Sequence, residues 1–386
     1  MAKINQSVTQ NYRIRPLTFS TPLLEGESLT SWLIRAALRQ GCSPLTFTHY
    51  YWPEHRIWTY DVDKGFKYIN SQIHSDIAVL AVTAIDAINN QTLINFSKIL
   101  SIESSSKVPL LWTQPLSKRN RYSRIGYPYC YECMTNNKEA HLKLQWRFTW
   151  SVCCIEHRKF LQVDCPYCNL PYQPQLIEPE QEFINQCHSC HHKLDKTTLD
   201  TIPSEVVYKF QLLANQVLYS KQGTILGKVV DIAEWFDYLL FLINLVRQAL
   251  KNPDYMFGKL LLELGIDLSE LSSPKTSLRF DFLPLGERIV LIEHAYYLLQ
   301  VECDDWIYYC QELDITQNSF QWSKRTIVPK AFSQIYDQLP KVPSREYKKQ
   351  SSGIHPASPE AVMAAWSRLQ RKIEMRESYD KHLKKE

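Results

Sequence analysis

The sequence is poor in glycine, and this scarcity excludes several classes of protein at once. It has 10 glycines among 386 residues. Glycine-rich loops that cradle nucleotide phosphates, and large all-β architectures with many tight turns, need more of them. The segment Gly223 to Val229 has nearly the spacing of a phosphate-binding loop, but it is one residue short and lacks the Ser or Thr that would hold Mg²⁺. The sequence also lacks H-E-x-x-H and G-x-S-x-G motifs, so it predicts no enzyme.

Long uncharged apolar runs are absent as well. The most apolar segment, Val230 to Leu250, is interrupted by charged residues. Its uncharged run, Tyr238 to Val246, is far shorter than the roughly 20 residues that cross a bilayer. We therefore interpret this segment as a buried core helix. The start of the sequence also lacks the apolar region of a secretory signal. We expect a cytoplasmic protein, whose thiols stay reduced.

The charge of the sequence is small overall but uneven. The formal net charge is +4, which is too low for a protein that coats nucleic acid. Residues 321–386, however, hold 14 lysines and arginines against 7 acidic residues. Such a basic end is compatible with a nucleic-acid contact, and it is also typical of a solvated surface. The segment Leu116 to Arg124 has the same two interpretations. Its candidate phosphate contacts are Lys118, Arg119, Arg121 and Arg124.

Cysteine, in contrast, is abundant and concentrated. There are 11 cysteines, and eight of them lie between residues 130 and 190. An odd total in a reducing compartment argues against a disulfide framework. The spacing points instead to metal binding, because three C-x-x-C pairs and one C-x-x-H pair occur in this region. Two intervening residues let a tight turn aim both side chains at one tetrahedral ion. The eight candidate ligands are Cys130, Cys133, Cys154, His157, Cys165, Cys168, Cys187 and Cys190.

Four such pairs make two complete sites. In sequence order, the first two pairs form a site of three cysteines and one histidine, and the last two form a four-cysteine site. The gaps between the pairs are in the range of zinc ribbons and fingers. An interleaved arrangement, first pair with third and second with fourth, also remains open. Four protein ligands leave no position for water or substrate, so we expect two structural zinc ions and no catalytic zinc.

Two other interpretations of the cysteine motifs are weaker. The run Cys187 to His191 matches the C-x-x-C-H pattern of c-type haem attachment, but that chemistry needs export. The pair Cys165 and Cys168 could be a redox motif, but no βαβ pattern surrounds it. The nearby histidines are expected to be solvated neighbours of the site, although any one of them could replace a cysteine ligand. They are His188, His191 and His192.

The adjacent cysteines differ in their predicted roles. From Leu142 to Cys154 apolar and polar residues alternate, which predicts a half-buried strand with Cys154 on the buried face and Cys153 on the polar face. A helix with Leu142, Trp146 and Trp150 at four-residue steps is the alternative. Both the alternation and the C-x-x-H spacing favour Cys154 as the ligand. Cys153 is then a free thiol without an identifiable base.

The remaining sequence is dominated by helical patterns. Ser28 can cap a helix over Leu29 to Gln40 that ends at Gly41, and Ser43 with Pro44 opens a second helix through Tyr50. Two short helices with a tight turn predict a helix-turn-helix, or simply a helical hairpin in a core. Further helical patterns cover residues 76–102, 204–220, 230–250, 255–265 and 286–301, and Ser358 with Pro359 opens a final helix.

These patterns together predict a mainly α protein. It has an N-terminal helix-turn-helix domain, a central zinc-ribbon or finger module with two zinc sites, and a C-terminal helical domain. The predicted divisions are a flexible N-terminus (1–20), an N-terminal helical domain (21–125), a double zinc-binding module (126–200) and a C-terminal helical domain with a basic end (201–386).

Two parts of the sequence resemble the TniQ/TnsD proteins, which are target-selection factors of bacterial transposons. The Trp-rich segment leading to Cys154 and His157, followed by Leu161 and the Cys165–Cys168 pair, resembles the zinc-finger block of that family. The resemblance covers roughly residues 20–195. The residues that match the family's opening motif are Pro22, Gly26, Glu27, Ser28, Leu29, Ser31, Trp32, Leu33, Arg35, Ala36 and Gly41.

The resemblance implies a non-enzymatic adaptor in transposition. Shorter TniQ members join a CRISPR effector such as Cascade and link it to an AAA+ ATPase regulator, TnsC, which recruits the transposase. Longer TnsD members read a DNA attachment site themselves. The length of 386 residues and the near-neutral body favour the first class, while the basic end and Leu116 to Arg124 keep direct contact with target DNA open. The resemblance implies that the helix-turn-helix domain faces the ATPase, with Trp32 and Arg35 as candidate partner-binding residues.

Overall fold

The computed structural model describes most of the chain in two compact units, Met1–Pro340 and Lys341–Glu386. In the second unit the described part of the final helix begins at Pro359 and includes Trp366. The described residues are 14–66, 70–96, 111–114, 126–136, 140–197, 202–268, 271, 278–322, 326–342, 358, 359, 362, 363, 366 and 370.

The N-terminal helix pair is confirmed. Helix α1 spans Leu29–Arg39 and α2 spans Pro44–Tyr51. The hydroxyls of Ser28 and Ser43 each accept the backbone N–H of the third helical residue, at 3.2 and 3.3 Å. Gly41 follows α1 with a φ of +74°, a left-handed conformation that glycine adopts without a steric penalty. Local capping chemistry therefore fixes both ends of the turn between the helices.

The helical pattern predicted over residues 76–102 is interrupted. Helix α3 spans Ser71–Leu80 and α4 spans Ile85–Asn90, followed by a 3₁₀ helix over Leu93–Phe96. Val82, between α3 and α4, has a φ of +53°, so the chain turns there instead of continuing as one helix. The part of the predicted helix after residue 96 lies outside the described residues.

The cysteine-rich region contains short regular elements. Helix α5 spans Tyr131–Asn136, and two antiparallel strands follow, β1 at Cys153–Cys154 and β2 at Lys159–Phe160. The register pairs Cys153 with Phe160 and Cys154 with Lys159. The tight turn between these two strands carries His157.

The strand predicted over Leu142 to Cys154 is wrong for most of its length. Leu144–Arg147 form a 3₁₀ helix, and only the final two residues are a strand. Both sets of alternate residues include buried side chains. Arg147 and Cys153 are buried, although they were expected on a polar face. The segment lies between two hydrophobic cores, so each side is covered and the alternation does not mark a solvated face. The helical alternative is wrong as well.

The described C-terminal region is helical apart from one hairpin. Four predicted helices are confirmed within a few residues at each end, and the helices beginning at Cys303 and Ser333 are additions. The elements are α6 Glu205–Ser220, β3 Gln222–Ile225, β4 Lys228–Asp231, α7 Ile232–Lys251, α8 Met256–Glu263, α9 Leu285–Leu299, α10 Cys303–Glu312 and α11 Ser333–Tyr336. Among the described residues, no helix combines the length and apolarity that a membrane crossing requires.

The hairpin occupies the segment whose spacing is close to that of a phosphate-binding loop. Leu226 and Gly227 connect β3 to β4 with φ angles of +47° and +74°. Two positive φ angles are what a tight hairpin turn of type I′ requires. The segment is therefore a β-turn between paired strands and offers no loop that wraps a phosphate.

Buried apolar side chains of the described residues form three cores. The first surrounds Trp32 and contains side chains from the four helices α1, α2, α3 and α4. The second surrounds the candidate metal ligands and includes Trp146. The third packs the helices α6 to α10 and also takes in Phe148 and Trp150, whose rings stack at 4.4 Å. The mainly α fold with a central cysteine-rich region is confirmed, and one short segment, residues 144–152, connects the second core to the third.

Candidate metal centres

The structure brings the eight candidate ligands together as two groups of four. In each group one donor atom per residue lies within 4.8 Å of the others. The grouping follows sequence order, so the interleaved arrangement is not the one observed. Cluster 1 consists of Cys130, Cys133, Cys154 and His157. Cluster 2 consists of Cys165, Cys168, Cys187 and Cys190.

The distances within cluster 1 fit one tetrahedral ion. The sulfurs of Cys133 and Cys154 are 3.6 Å apart, and Nδ1 of His157 lies 3.3 Å from Cys133 and 3.5 Å from Cys154. Cys130 Sγ lies 3.6 Å from the same nitrogen. A tetrahedral zinc ion with bonds of about 2.3 Å to sulfur places its sulfurs about 3.8 Å apart. The four donors are therefore close to the corners that such an ion needs.

Cluster 2 has the same dimensions with four sulfurs. Cys165 and Cys190 are 3.6 Å apart, and Cys168 and Cys187 are 3.7 Å apart. These contacts are between free thiols, since all eleven cysteines are unpaired. Four cysteines at this separation form a donor set that zinc prefers. The arrangement closes around one ion and leaves no open side for a substrate.

Three of the four ligand pairs share one backbone geometry. The residue after the second ligand has a positive φ in each case: Arg158 (+50°), Asn169 (+57°) and His191 (+63°). Its N–H donates to the carbonyl of the first ligand at 2.9 to 3.0 Å. The chain therefore reverses around each pair and directs both side chains inward. The pair Cys130 and Cys133 has the same hydrogen bond, from the N–H of Met134 at 3.0 Å, but Met134 has no positive φ because it lies in α5.

Charged side chains lie close to His157. Its Nδ1 faces the sulfurs, and its Nε2 lies 4.0 Å from a carboxylate oxygen of Glu132. Glu156, between the two ligands of this pair, forms an ion pair with Lys143. A carboxylate near the second ring nitrogen favours the tautomer in which Nδ1 carries the lone pair. The histidine is thus oriented to bind an ion through Nδ1.

In each cluster the pKa of one cysteine is lowered, while the pKa values of two of its neighbours are raised. Hydrogen bonds from Cys130, and to a smaller extent from Cys133, lower the pKa of Cys154 to about 2. Burial opposes the ionisation of Cys190, yet hydrogen bonds from His192 and from other cysteines of cluster 2 lower its pKa to about 6. The thiolate is the form that binds metal. Both sites are therefore prepared to supply an anionic ligand at neutral pH.

Cys153 lies outside cluster 1 although it neighbours Cys154. Successive side chains of a strand point to opposite sides, so Cys153 points away from the cluster. Burial raises the pKa of its thiol to about 12, and its Sγ lies 3.3 Å from Oε1 of Gln211 on α6. It was expected on the polar face, and it is instead fully buried. It has the environment of an inert core thiol.

The three histidines beside cluster 2 are not among its four donors. His188 Nδ1 accepts the backbone N–H of Gln173 at 3.3 Å. The ring of His192 stacks on Tyr167 at 4.4 Å. His191 is exposed at the left-handed position after Cys190. All three lie around the cluster.

The two candidate partner-binding residues are held by internal contacts. Trp32 is completely buried, and its indole N–H donates to the carbonyl of Thr21 at 2.9 Å. Arg35 forms a 2.7 Å ion pair with the buried carboxylate of Glu27, which also accepts from Ser31. In this structure both side chains bind residues that precede α1, namely Thr21 and Glu27. Their assignment as partner-binding residues stays a prediction.

A buried ion network, which the sequence did not predict, connects α1 to the cysteine-rich region. The guanidinium of Arg147 makes two parallel hydrogen bonds to Asp61, at 2.8 and 2.9 Å, and a further ion pair with Asp63. All three residues have little or no exposed side-chain surface. Burial raises the pKa of Asp61, but the adjacent Arg147 outweighs this effect and holds the pKa below its usual value.

The same network caps α1. Asp63 Oδ1 accepts the backbone N–H of Thr30 at 2.8 Å, so its carboxylate lies at the positive end of the helix. The hydroxyl of Tyr127 forms hydrogen bonds with Asp63 (2.6 Å) and with the capping residue Ser28 (2.7 Å). Tyr127 is three residues before the first ligand, Cys130. The start of α1 and cluster 1 are therefore linked by buried polar contacts.

Gly126 permits a close backbone approach beside Tyr127, and its replacement is expected to be costly. A Cβ at this position would lie 1.7 Å from the carbonyl oxygen of Val163 and 2.7 Å from the N–H nitrogen of Tyr172. These two groups are hydrogen-bonded to each other at 2.8 Å, next to cluster 2. We expect Gly126→Ala to lower the free energy of unfolding by about 1–3 kcal/mol, measured by denaturant titration.

Gly286 provides the matched control for this substitution. It lies in the first turn of α9, and a Cβ there would have no atom within 4 Å. Gly286→Ala is expected to be neutral or stabilising by up to about 1 kcal/mol. Equal effects of the two substitutions would show that the close approach at Gly126 carries no special cost.

The candidate phosphate contacts in the segment 116–124 lie outside the described residues. This applies to Lys118, Arg119, Arg121 and Arg124. Their role in binding nucleic acid stays a prediction.

Comparison with known proteins identifies one part of the chain. A family model described as TniQ matches residues 19–161, which is less than half of the 386 residues. The matched range contains α1 to α5, the buried ion network and cluster 1, and it ends before cluster 2. No curated protein matches the chain.

Proposed function

We propose that the protein is a zinc-stiffened adaptor in the selection of transposition targets. The proposal starts from the TniQ domain that residues 19–161 form. The TniQ family points to transposition target selection, and this is the observation that carries the proposal. The adaptor joins a target-recognition complex, a CRISPR effector of the Cascade type, to an AAA+ ATPase regulator, TnsC. The ATPase in turn recruits the transposase.

The metal centres support a scaffold better than a reaction site. Each cluster surrounds its ion position with four protein donors, and such closed sites are structural. The sequence also lacks the catalytic motifs considered above. We propose that each cluster holds one zinc ion, because free cysteines and a histidine at tetrahedral spacing are the ligands of structural zinc. Zinc there contributes folding free energy and links distant parts of the chain.

The position of cluster 1 gives this scaffold a mechanical role. On one side, Tyr127 and Arg147 connect the cluster region to the start of α1. On the other side, Phe148 and Trp150 belong to the core of the C-terminal helices. An adaptor must hold two binding surfaces at a fixed separation. Buried ion pairs and a metal centre at the junction would supply that rigidity.

The zinc content can be measured directly. Elemental analysis of the purified chain is expected to give about two zinc ions per molecule, one for each set of four ligands. A strong chelator is expected to remove both ions and to unfold part of the cysteine-rich region. Circular dichroism measures this unfolding. A protein that folds normally with no bound zinc would contradict the metal assignment.

The adaptor role is tested by a bridging experiment. Tagged ATPase is immobilised and Cascade is added with or without the purified chain. The proposal expects Cascade to be retained only when the chain is present, and the chelator-treated chain serves as the matched control. If the chain binds neither the ATPase nor Cascade, the adaptor proposal fails.

A second candidate is a TnsD-like protein that reads an attachment site in DNA. The basic composition of residues 321–386 favours it, with 14 lysines and arginines against 7 acidic residues. It predicts tight binding to one duplex sequence with a steep dependence on salt, because each neutralised phosphate releases counterions. Weak binding that ignores sequence would count against this candidate and in favour of the adaptor.

A further inference from the structure

Gln211 on α6 makes an unusual set of contacts with the strand that carries Cys154. Its side chain is completely buried. Oε1 accepts the backbone N–H groups of Val152 and Cys153, at 2.9 and 3.0 Å. Nε2 donates to the carbonyl of Cys153 at 2.7 Å. The amide therefore pairs with the backbone of β1 as a neighbouring strand would.

These contacts occupy one edge of β1. On its other edge the strand pairs with β2, where Cys154 faces Lys159. A two-residue strand with one partner is a weak element, since isolated two-stranded ribbons are marginally stable in water. The amide of Gln211 supplies the missing second partner. The backbone immediately before the ligand Cys154 is thus held from both sides.

The helix that carries Gln211 belongs to the C-terminal core and not to the metal module. Its neighbours on α6, Phe210 and Ala214, pack in the core of the C-terminal helices. Gln211 itself lies 58 residues from Cys153 in sequence, beyond the end of the TniQ domain at residue 161. The position of a cluster 1 ligand therefore depends on a side chain from outside that domain.

We propose that Gln211 is a positioning residue for cluster 1, and that it couples metal binding at this site to the packing of α6. The inference rests on the proposed zinc scaffold. The amide holds β1 in the register in which Cys153 points to α6 and Cys154 points to the ion. Within the described part of the chain the hydrogen bonds of Gln211 go to Ser151, Val152 and Cys153 and to no ligand of cluster 2, so we expect the coupling to be specific to cluster 1.

The predicted consequence is a selective loss of metal. Groups that orient metal ligands typically affect affinity by about 10–100-fold. In Gln211→Ala we expect cluster 1 to release zinc to a chelator about 10-fold faster or more, while cluster 2 keeps its wild-type rate. Gln211→Glu keeps an acceptor for the two N–H groups but sets a buried carboxylate oxygen against the carbonyl of Cys153, so we expect an acceleration at least as large as in Gln211→Ala.

Asn215 provides a matched control on the same helix. It is a buried amide one turn further along α6, and its Oδ1 accepts the indole N–H of Trp150 at 3.1 Å. Asn215→Ala removes a buried hydrogen bond from the same core without touching β1. We expect it to lower the thermal stability without changing zinc release from cluster 1.

The experiment uses the full chain loaded with zinc, and separately with cobalt, whose visible absorption distinguishes a site with three sulfurs and one nitrogen from a four-sulfur site. The expected result is faster release from the site with three sulfurs and one nitrogen, cluster 1, in Gln211→Ala. Asn215→Ala is expected to release metal at the wild-type rate. Equal release from both clusters, or an unchanged rate in Gln211→Ala, would overturn the inference. A wild-type chain that binds neither ion would instead overturn the zinc scaffold itself.

Discussion

Cys154→Ser is expected to reduce bound zinc from about two ions per chain to about one, whereas Cys153→Ser is expected to retain both. The two cysteines are adjacent, but only the sulfur of Cys154 lies among the donors of cluster 1. Apparent binding free energies of structural zinc are about 10–16 kcal/mol, which is comparable to the whole stability of a typical domain. Loss of one thiolate should therefore unfold the region around cluster 1. Elemental analysis and thermal unfolding measure both effects.

Cys153→Ser is the matched control because it changes the same atom one residue earlier. Its thiol lies next to Oε1 of Gln211, and a serine hydroxyl at that position retains a hydrogen-bond donor. We expect normal zinc content and only a small loss of stability. If Cys153→Ser lost an ion and Cys154→Ser kept two, the assignment of the ligand would be wrong.

Arg147→Met is expected to destabilise the protein by about 3–5 kcal/mol, because it leaves two carboxylates buried without their cation. Asp61 and Asp63 have almost no exposed side-chain surface, so water cannot replace the guanidinium. Asp63 would still accept the N–H of Thr30, but with an unbalanced charge. Denaturant unfolding of the zinc-loaded chain measures the change in the free energy of unfolding.

Neutralising a carboxylate together with the arginine separates the charge effect from packing. We expect Asp61→Asn in the Arg147→Met background to recover part of the lost stability, since one uncompensated charge is removed. The exposed pair Arg158 and Glu205, 3.3 Å apart, supplies a contrast. Arg158→Met should cost about 1 kcal/mol or less. Equal losses at the buried and the exposed arginine would contradict the role assigned to the network.

The sequence was sufficient to predict the elements that depend on local chemistry. The caps at Ser28 and Ser43 depend on residues within one turn, and the structure has both helices in the predicted places. The four ligand pairs also follow from short spacings, which determine a tight turn before any tertiary contact forms, whereas the grouping of the pairs into two clusters is shown by the structure. The buried helix α7 was recognisable from its apolar run.

The elements that the sequence did not reveal depend on contacts between distant residues. Leu142 to Val152 alternates as a half-buried strand would, yet from Trp146 onward both the apolar and the polar residues of this segment are buried. No local pattern marks Arg147 as the partner of Asp61, which is 86 residues away. Gln211 looks like an ordinary polar residue of a helix. The positive φ angles that close three ligand pairs occur at Arg158, Asn169 and His191, not at glycines.

The contacts that complete α1 also determine when this helix can finish folding. Ser28 is hydrogen-bonded to the backbone of Leu142, and the hydroxyl of Ser31 accepts the N–H of that same residue, 111 positions later. At a synthesis rate of roughly 5–20 residues per second, Leu142 is added on the order of ten seconds after Ser31. During that interval the start of α1 lacks these two hydrogen bonds. Such long loops close slowly, so the first helix of the chain reaches its native environment well after it has been synthesised.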